Sequence, residues 1–135
     1  MGFIFSASTA GMSFGHTSRF LAPILQWLSP DMSPETLHRL VAIIRKMAHV
    51  FEYAVLGILV WWALRRPKWR DPRPWSWRQS MGAFAVASVY AATDEFHQAF
   101  VPSRGASPLD VGLDMIGAAA GILFLWFVGK CFNRW

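Results

Sequence analysis

Nine side chains suited to proton transfer or ion binding fall in three short groups: Lys46, His49 and Glu52; Asp94, Glu95, His97 and Gln98; and Asp110 with Asp114. His49 and Glu52 stand three residues apart, as do Asp94 and His97, and Asp110 and Asp114 stand four apart. On a helix each pair shares one face. An imidazole carries protons near neutral pH, a carboxylate serves as base or acid, and ammonium and guanidinium groups hold anions. The set therefore supports acid–base chemistry, with Glu52 or Glu95 as general base, His49 and His97 as proton shuttles, and Lys46 and Arg104 gripping an anionic group. No side chain stands out as a nucleophile. The same residues admit a divalent metal, held by His49, Glu52, His97 and Asp114 with Asp94 or Glu95 nearby, since two imidazoles with carboxylates suit Zn, Mn or Fe. The plainest reading is a structural network in which Arg45, Lys46 and Arg104 neutralise Glu52, Asp94, Glu95, Asp110 and Asp114 and fix helix register.

The elements that carry these groups are apolar. Residues 48–64, 79–101 and 109–128 are each near the length of about 20 residues needed to cross roughly 30 Å of hydrocarbon. Pro67, Pro72 and Pro74 break the helix after the first, and Pro102, Gly105 and Pro108 after the second. Short connections make the neighbours antiparallel. Residues 2–14 form a shorter first segment, and residues 20–28, interrupted by Pro23, suit an interfacial helix. Ser33, Pro34 and Glu35 are an N-cap, a first-position proline and a first-turn acid, so one long helix is expected from Pro34 to Arg66. The expectation is an all-α, polytopic transmembrane bundle of about four membrane segments, with an interfacial helix near the N-terminus, forming a single domain.

Composition agrees. The 135 residues are 54% hydrophobic and include eight tryptophans and eleven phenylalanines, with a mean hydropathy of +0.30. The net charge of +5 does not indicate nucleic acid, because the basic residues bunch between apolar runs instead of lining a solvated face. Arg65, Arg66, Lys68, Arg70, Arg73 and Arg78 crowd one loop against Asp71 alone, the pattern of a cytoplasmic loop. Lys130 and Arg134 fall on the same side, as do Trp61, Trp62, Trp69, Trp75, Trp77, Trp126 and Trp135. Cys131 is the single cysteine, which rules out an intramolecular disulfide.

Antiparallel helices carry all three polar groups to the opposite face. An ionisable side chain inside hydrocarbon costs about 2.5–3.5 kcal/mol even on the mildest scale, and five of the eight acids occupy such positions. Their depths match: Glu52 lies ~9 Å beyond Lys46, Asp94 ~10 Å in from Val101, and Asp114 ~6 Å beyond Asp110. Gly117 and Gly121 share a face with Asp114 and let a neighbouring helix approach closely, while Ser88, Ala91 and Ala92 offer small side chains on the preceding segment. Phe51, Phe96 and Phe100 fall off the polar stripes, toward lipid.

Lys46, His49, the run Phe51-Glu52-Tyr53-Ala54-Val55-Leu56-Gly57, the run Thr93-Asp94-Glu95-Phe96-His97-Gln98, and then Phe100, Pro102, Arg104, Asp110, Asp114 and Gly117 resemble, in order and spacing, the VanZ-like family of bacterial membrane proteins. The resemblance covers about Lys46 to Gly121. It implies a multi-pass protein of the bacterial cytoplasmic membrane and a link to teicoplanin resistance. With it, Tyr53, Gln98, Arg104, Asp110 and Asp114 join Lys46 as binding residues around His49, Glu52, Asp94, Glu95 and His97. The expected partners are the bilayer itself and an envelope lipid or lipid-linked precursor, bound or acted on in an outward-facing polar pocket. The alternative is a non-enzymatic binding or assembly protein whose charged cluster is an ion-pair network.

Overall fold

The computed structural model describes residues 21, 23–66, 73–100, 107–132 and 134. The segment at 2–14, residues 67–72 of the basic loop, and Arg104 lie outside them. A helical stretch at 23–28 precedes three long helices, α1 (Pro34–Arg65), α2 (Trp77–Gln98) and α3 (Pro108–Cys131), and no strand occurs among the described residues. Trp27 and Leu28 of the short stretch keep their side chains exposed.

Each long helix starts on a serine. Ser33 has extended backbone and its hydroxyl accepts the Thr36 N–H at 3.3 Å, with Pro34 in the first turn and Glu35 paired to Arg39 at 2.6 Å. Ser76 accepts from the Gln79 N–H and Ser107 from the Leu109 N–H, so orphaned amide groups at all three N-termini are satisfied locally. Arg66, in the left-handed region at φ 46°, ends α1 by donating its N–H to the Trp62 carbonyl at 2.8 Å.

The tightest packing joins α1 to α3. A methyl on Gly117 would strike the Val50 carbonyl oxygen, one on Gly121 the Ala54 carbonyl oxygen, and one on Gly57 would lie 2.8 Å from the Ala118 carbonyl oxygen. Small residues on both helices thus bring the two backbones into contact. α2 contributes a stripe of Ala83, Ala87 and Ala91, buried against Tyr53, Leu56, Val60 and Trp61 of α1 and Ala118 and Ile122 of α3. Ala91 is the small residue of α2 that enters the core; Ala92 is exposed, and the half-buried Ser88 turns its hydroxyl back onto the Phe84 carbonyl at 2.8 Å.

α1 and α3 are long and apolar enough to cross a membrane, and only 28% of the most apolar window of each is buried inside the bundle. A core helix of a soluble protein would bury most of that surface. Instead Phe51, Leu59, Ile116, Phe124 and Phe127 point outward, as do Phe96 on α2 and Phe100 just beyond its end. α2 has the length, at 22 residues, but its acids, serines and amides hold it below the same apolarity.

The ends where α1 stops and α2 starts are locked by a buried arginine. Arg65, 2% exposed, donates to the Pro74 carbonyl at 3.0 Å and to the Arg73 carbonyl, while Arg73 donates back to the Arg65 carbonyl at 2.9 Å. Its guanidinium lies over Trp61, which stacks on Trp75 at 4.8 Å. Aromatic contacts continue from Trp75 to Trp77 and from Trp77 to Trp126 on α3. Trp61, Trp75, Trp77 and Trp126 thus gather at one end of the bundle.

Candidate functional site

At the other end, α1 supplies Arg45, Lys46 and His49, α2 supplies Glu95 and Gln98, and α3 supplies Asp110, Leu113 and Asp114 to the wall of a single cavity. The cavity encloses about 20 Å³, room for one water, which needs about 10–15 Å³. Lys46, His49, Glu95, Gln98, Asp110 and Asp114 are therefore neighbours despite separations of up to 68 positions in sequence, from Lys46 to Asp114. The cause is local to each helix: the α2 stripe of alanines turns polar at its last turn, and Asp114 stands one turn ahead of the Gly117 contact.

Three carboxylates, Asp94, Glu95 and Asp114, are buried. Buried charge has to be compensated by close polar partners. The Gln98 side-chain amide donates to Asp94 at 2.9 Å. Glu95 accepts the backbone N–H of Ser107 and so ties the end of α2 to the cap of α3. Lys46 Nζ meets Asp110 Oδ1 at 2.7 Å, bridging α1 to α3. His49 Nδ1 stands 3.9 Å from Glu52 Oε2, so the imidazole faces the cavity with a carboxylate beside it.

Other residues expected at the site are placed differently. Tyr53 is fully buried, and its hydroxyl finds no hydrogen-bond partner among the described residues, with Asp94 and Asp114 in electrostatic range. Glu52, Asp94 and His97 do not line the cavity; Asp94 accepts a hydrogen bond from the Gln98 amide, four residues on. Among the described residues no group of three or more His, Cys, Asp or Glu is placed to hold a metal ion. The set His49, Glu52, His97 and Asp114 is not gathered into such a group, and His97 does not line the cavity that His49 and Asp114 share. Arg45, expected only as a cation of the neutralising network, lines the cavity, and Leu113 lines it without having been singled out.

A comparison with known families matches the family described as VanZ/LLP1 over residues 1–129, so the chain belongs to that family. The match extends beyond the stretch that carries the motif resemblance. Together with the two apolar helices it marks a membrane protein. No curated protein and no solved structure matches the chain.

Proposed function

We propose, with membership of the VanZ/LLP1 family as premise, that this is a multi-pass protein of the bacterial cytoplasmic membrane whose polar cavity faces outward and acts on the headgroup of an envelope lipid or lipid-linked precursor. The supporting dimension is the span between the two polar ends. From His49 to Arg65 is ~24 Å of helix, from Trp77 to Glu95 ~27 Å and from Asp110 to Lys130 ~30 Å, close to the thickness of a hydrocarbon core. With the basic, tryptophan-rich end in the cytoplasmic interface, the cavity lies at the outer one. The segment at 2–14 and α2 complete a four-segment bundle in this reading, with residues 20–28 along the interface.

The observation that carries the chemistry is the meeting of His49 with carboxylates and two cations around a water-sized space. His49 is the proton carrier and Glu52, beside its Nδ1, the group that orients it and balances its charge. A water in the cavity is the nucleophile that the side chains lack. The cavity is too small for a headgroup, so the substrate sits at its mouth with Arg45 and Lys46 on its anionic part. The family's link to teicoplanin resistance supports an envelope substrate.

The test is turnover by the full chain in nanodiscs supplied with envelope lipid extract. Conversion that His49→Ala abolishes and Glu52→Gln strongly reduces is expected; absence of any His49-dependent product defeats the enzymatic reading. The contacts Lys46–Asp110, Gln98–Asp94 and Glu95–Ser107 favour a second reading, a register-fixing network in a binding or assembly protein. There Glu52→Gln leaves lipid binding and teicoplanin susceptibility unchanged, and the cavity variants lower thermal stability alone.

A further inference from the structure

A second site lies at the opposite end of the bundle. Between α2 and α3 runs an almost wholly apolar groove of about 240 Å³, walled by Trp77, Met81 and Phe84 on one side and Ala119, Ile122 and Leu123 on the other. It is some twelve times the volume of the polar cavity. Trp77 to Phe84 spans seven residues, so the groove runs ~10 Å inward along the helix axis. Trp126 stands beside Trp77, their ring centroids 6.0 Å apart, and Lys130 Nζ lies 5.2 Å above the Trp126 ring. Arg78, in the first turn of α2, and Lys130 are both exposed.

Among the described residues the charge at this end has one sign. Residues 59–66, 73–84 and 119–132 contain five exposed or buried cations, Arg65, Arg66, Arg73, Arg78 and Lys130, and no acid. Arg65 and Arg73 are engaged with backbone carbonyls, which leaves Arg66, Arg78 and Lys130 toward the surface. An apolar groove that starts at Trp77, close to cations that have no acid beside them among the described residues, matches an amphiphile with one negative headgroup and a hydrocarbon tail.

We propose that this groove is a binding site for an anionic phospholipid of the surrounding leaflet, one acyl chain lying against Met81, Phe84, Ala119 and Leu123 and the phosphate held by Lys130 and Arg78. The site is separate from the outer cavity and does not depend on what that cavity does; it requires only that α2 and α3 face the bilayer. It gives the basic end a function beyond fixing orientation: the protein is stabilised where anionic lipid is plentiful.

Native mass spectrometry of the full chain released from nanodiscs of equal parts phosphatidylglycerol and phosphatidylcholine tests the site. One phosphatidylglycerol is expected to stay bound in preference to phosphatidylcholine. Lys130→Gln and Arg78→Gln are each expected to lower that preference about fivefold, the weight of one cation near a membrane surface. Met81→Trp and Ala119→Trp, which fill the groove and leave the charges, should remove retention of both lipids; Met81 is exposed and its replacement places no burden on folding. Equal retention of the two lipids, or retention indifferent to Met81→Trp, overturns the proposal. So does a severalfold rise in retention on deleting residues 1–20, which makes the chain's own N-terminus the occupant. A dimer that Met81→Trp turns into monomer overturns it too, since a second copy then fills the groove.

Discussion

Alanine at each glycine in turn measures how closely α1 and α3 lie. At Gly117 and Gly121 the new methyl meets the carbonyl oxygens of Val50 and Ala54, backbone atoms with no rotamer through which to yield. No glycine among the described residues has a positive φ, so it is space and not conformation that requires glycine here. The helices must part, an overpacking cost of about 1–3 kcal/mol set against a helix-propensity gain of about 0.5–1 kcal/mol. Gly112 lies on the same helix with nothing within 4 Å of its virtual methyl, so Gly112→Ala keeps the gain without the cost. The two outcomes differ by about 2 kcal/mol, a factor of about thirty in the unfolding equilibrium. Gly57→Ala, 2.8 Å from the Ala118 carbonyl, falls between them, and Gly82→Ala, 3.4 Å from a Leu64 methyl that can move, is near neutral. Equilibrium unfolding in mixed micelles reads the order directly. If Gly117→Ala and Gly121→Ala unfold no more easily than Gly112→Ala, the close α1–α3 contact is wrong.

Three further experiments probe the two ends and the core. Arg65→Lys keeps the charge but loses the forked donation to the Pro74 and Arg73 carbonyls, and a loss of about 2–3 kcal/mol is expected in the same unfolding assay. A double-mutant cycle on Lys46→Gln and Asp110→Asn should give a coupling of about 1 kcal/mol or less, because both side chains are partly open to solvent at 53% and 31%; a larger value would mean that the pair is closed off. Tyr53→Phe removes a buried hydroxyl without a partner among the described residues, so stability is expected to hold or rise by up to about 1 kcal/mol. A clear fall in melting temperature would reveal a water or a further residue bonded to that hydroxyl.

Much of this layout is legible in the sequence. Ser33 and Pro34 mark the start of α1 to the residue, and the breaks at Pro67 and Pro108 bound the helices within a few positions. Antiparallel order and the shared depth of the three polar groups follow from short connections and helix rise, and Lys46, His49, Glu95, Gln98, Asp110 and Asp114 do meet. What periodicity does not carry is the choice of neighbour. Gly117 and Gly121 announce a close approach, but only the assembled bundle shows that α1, two elements back, makes it. Radial direction is similarly hidden: His97 and Gln98 are adjacent in sequence, yet one lines the cavity and the other does not. Arg65 reads as one of six loop cations, and its burial depends on the left-handed turn at Arg66, after which Arg73 and Pro74 bring their carbonyls back to it. Glu95 reads as a general base or a member of the ion-pair network, and its bond to the Ser107 amide is hidden because that donor is a backbone group twelve residues away.

The proposed placement of the three helix ends together beneath the outer membrane surface is tested most directly by cysteine pairs in native membranes, with Cys131, the exposed free thiol, replaced by serine. Lys46→Cys with Asp110→Cys, and Lys46→Cys with Gln98→Cys, should each be joined by a short bifunctional maleimide, and Lys46→Cys should react with an impermeant reagent in intact cells. If neither pair cross-links, or if Lys46→Cys reacts only after the cells are opened, the outward-facing cavity does not exist.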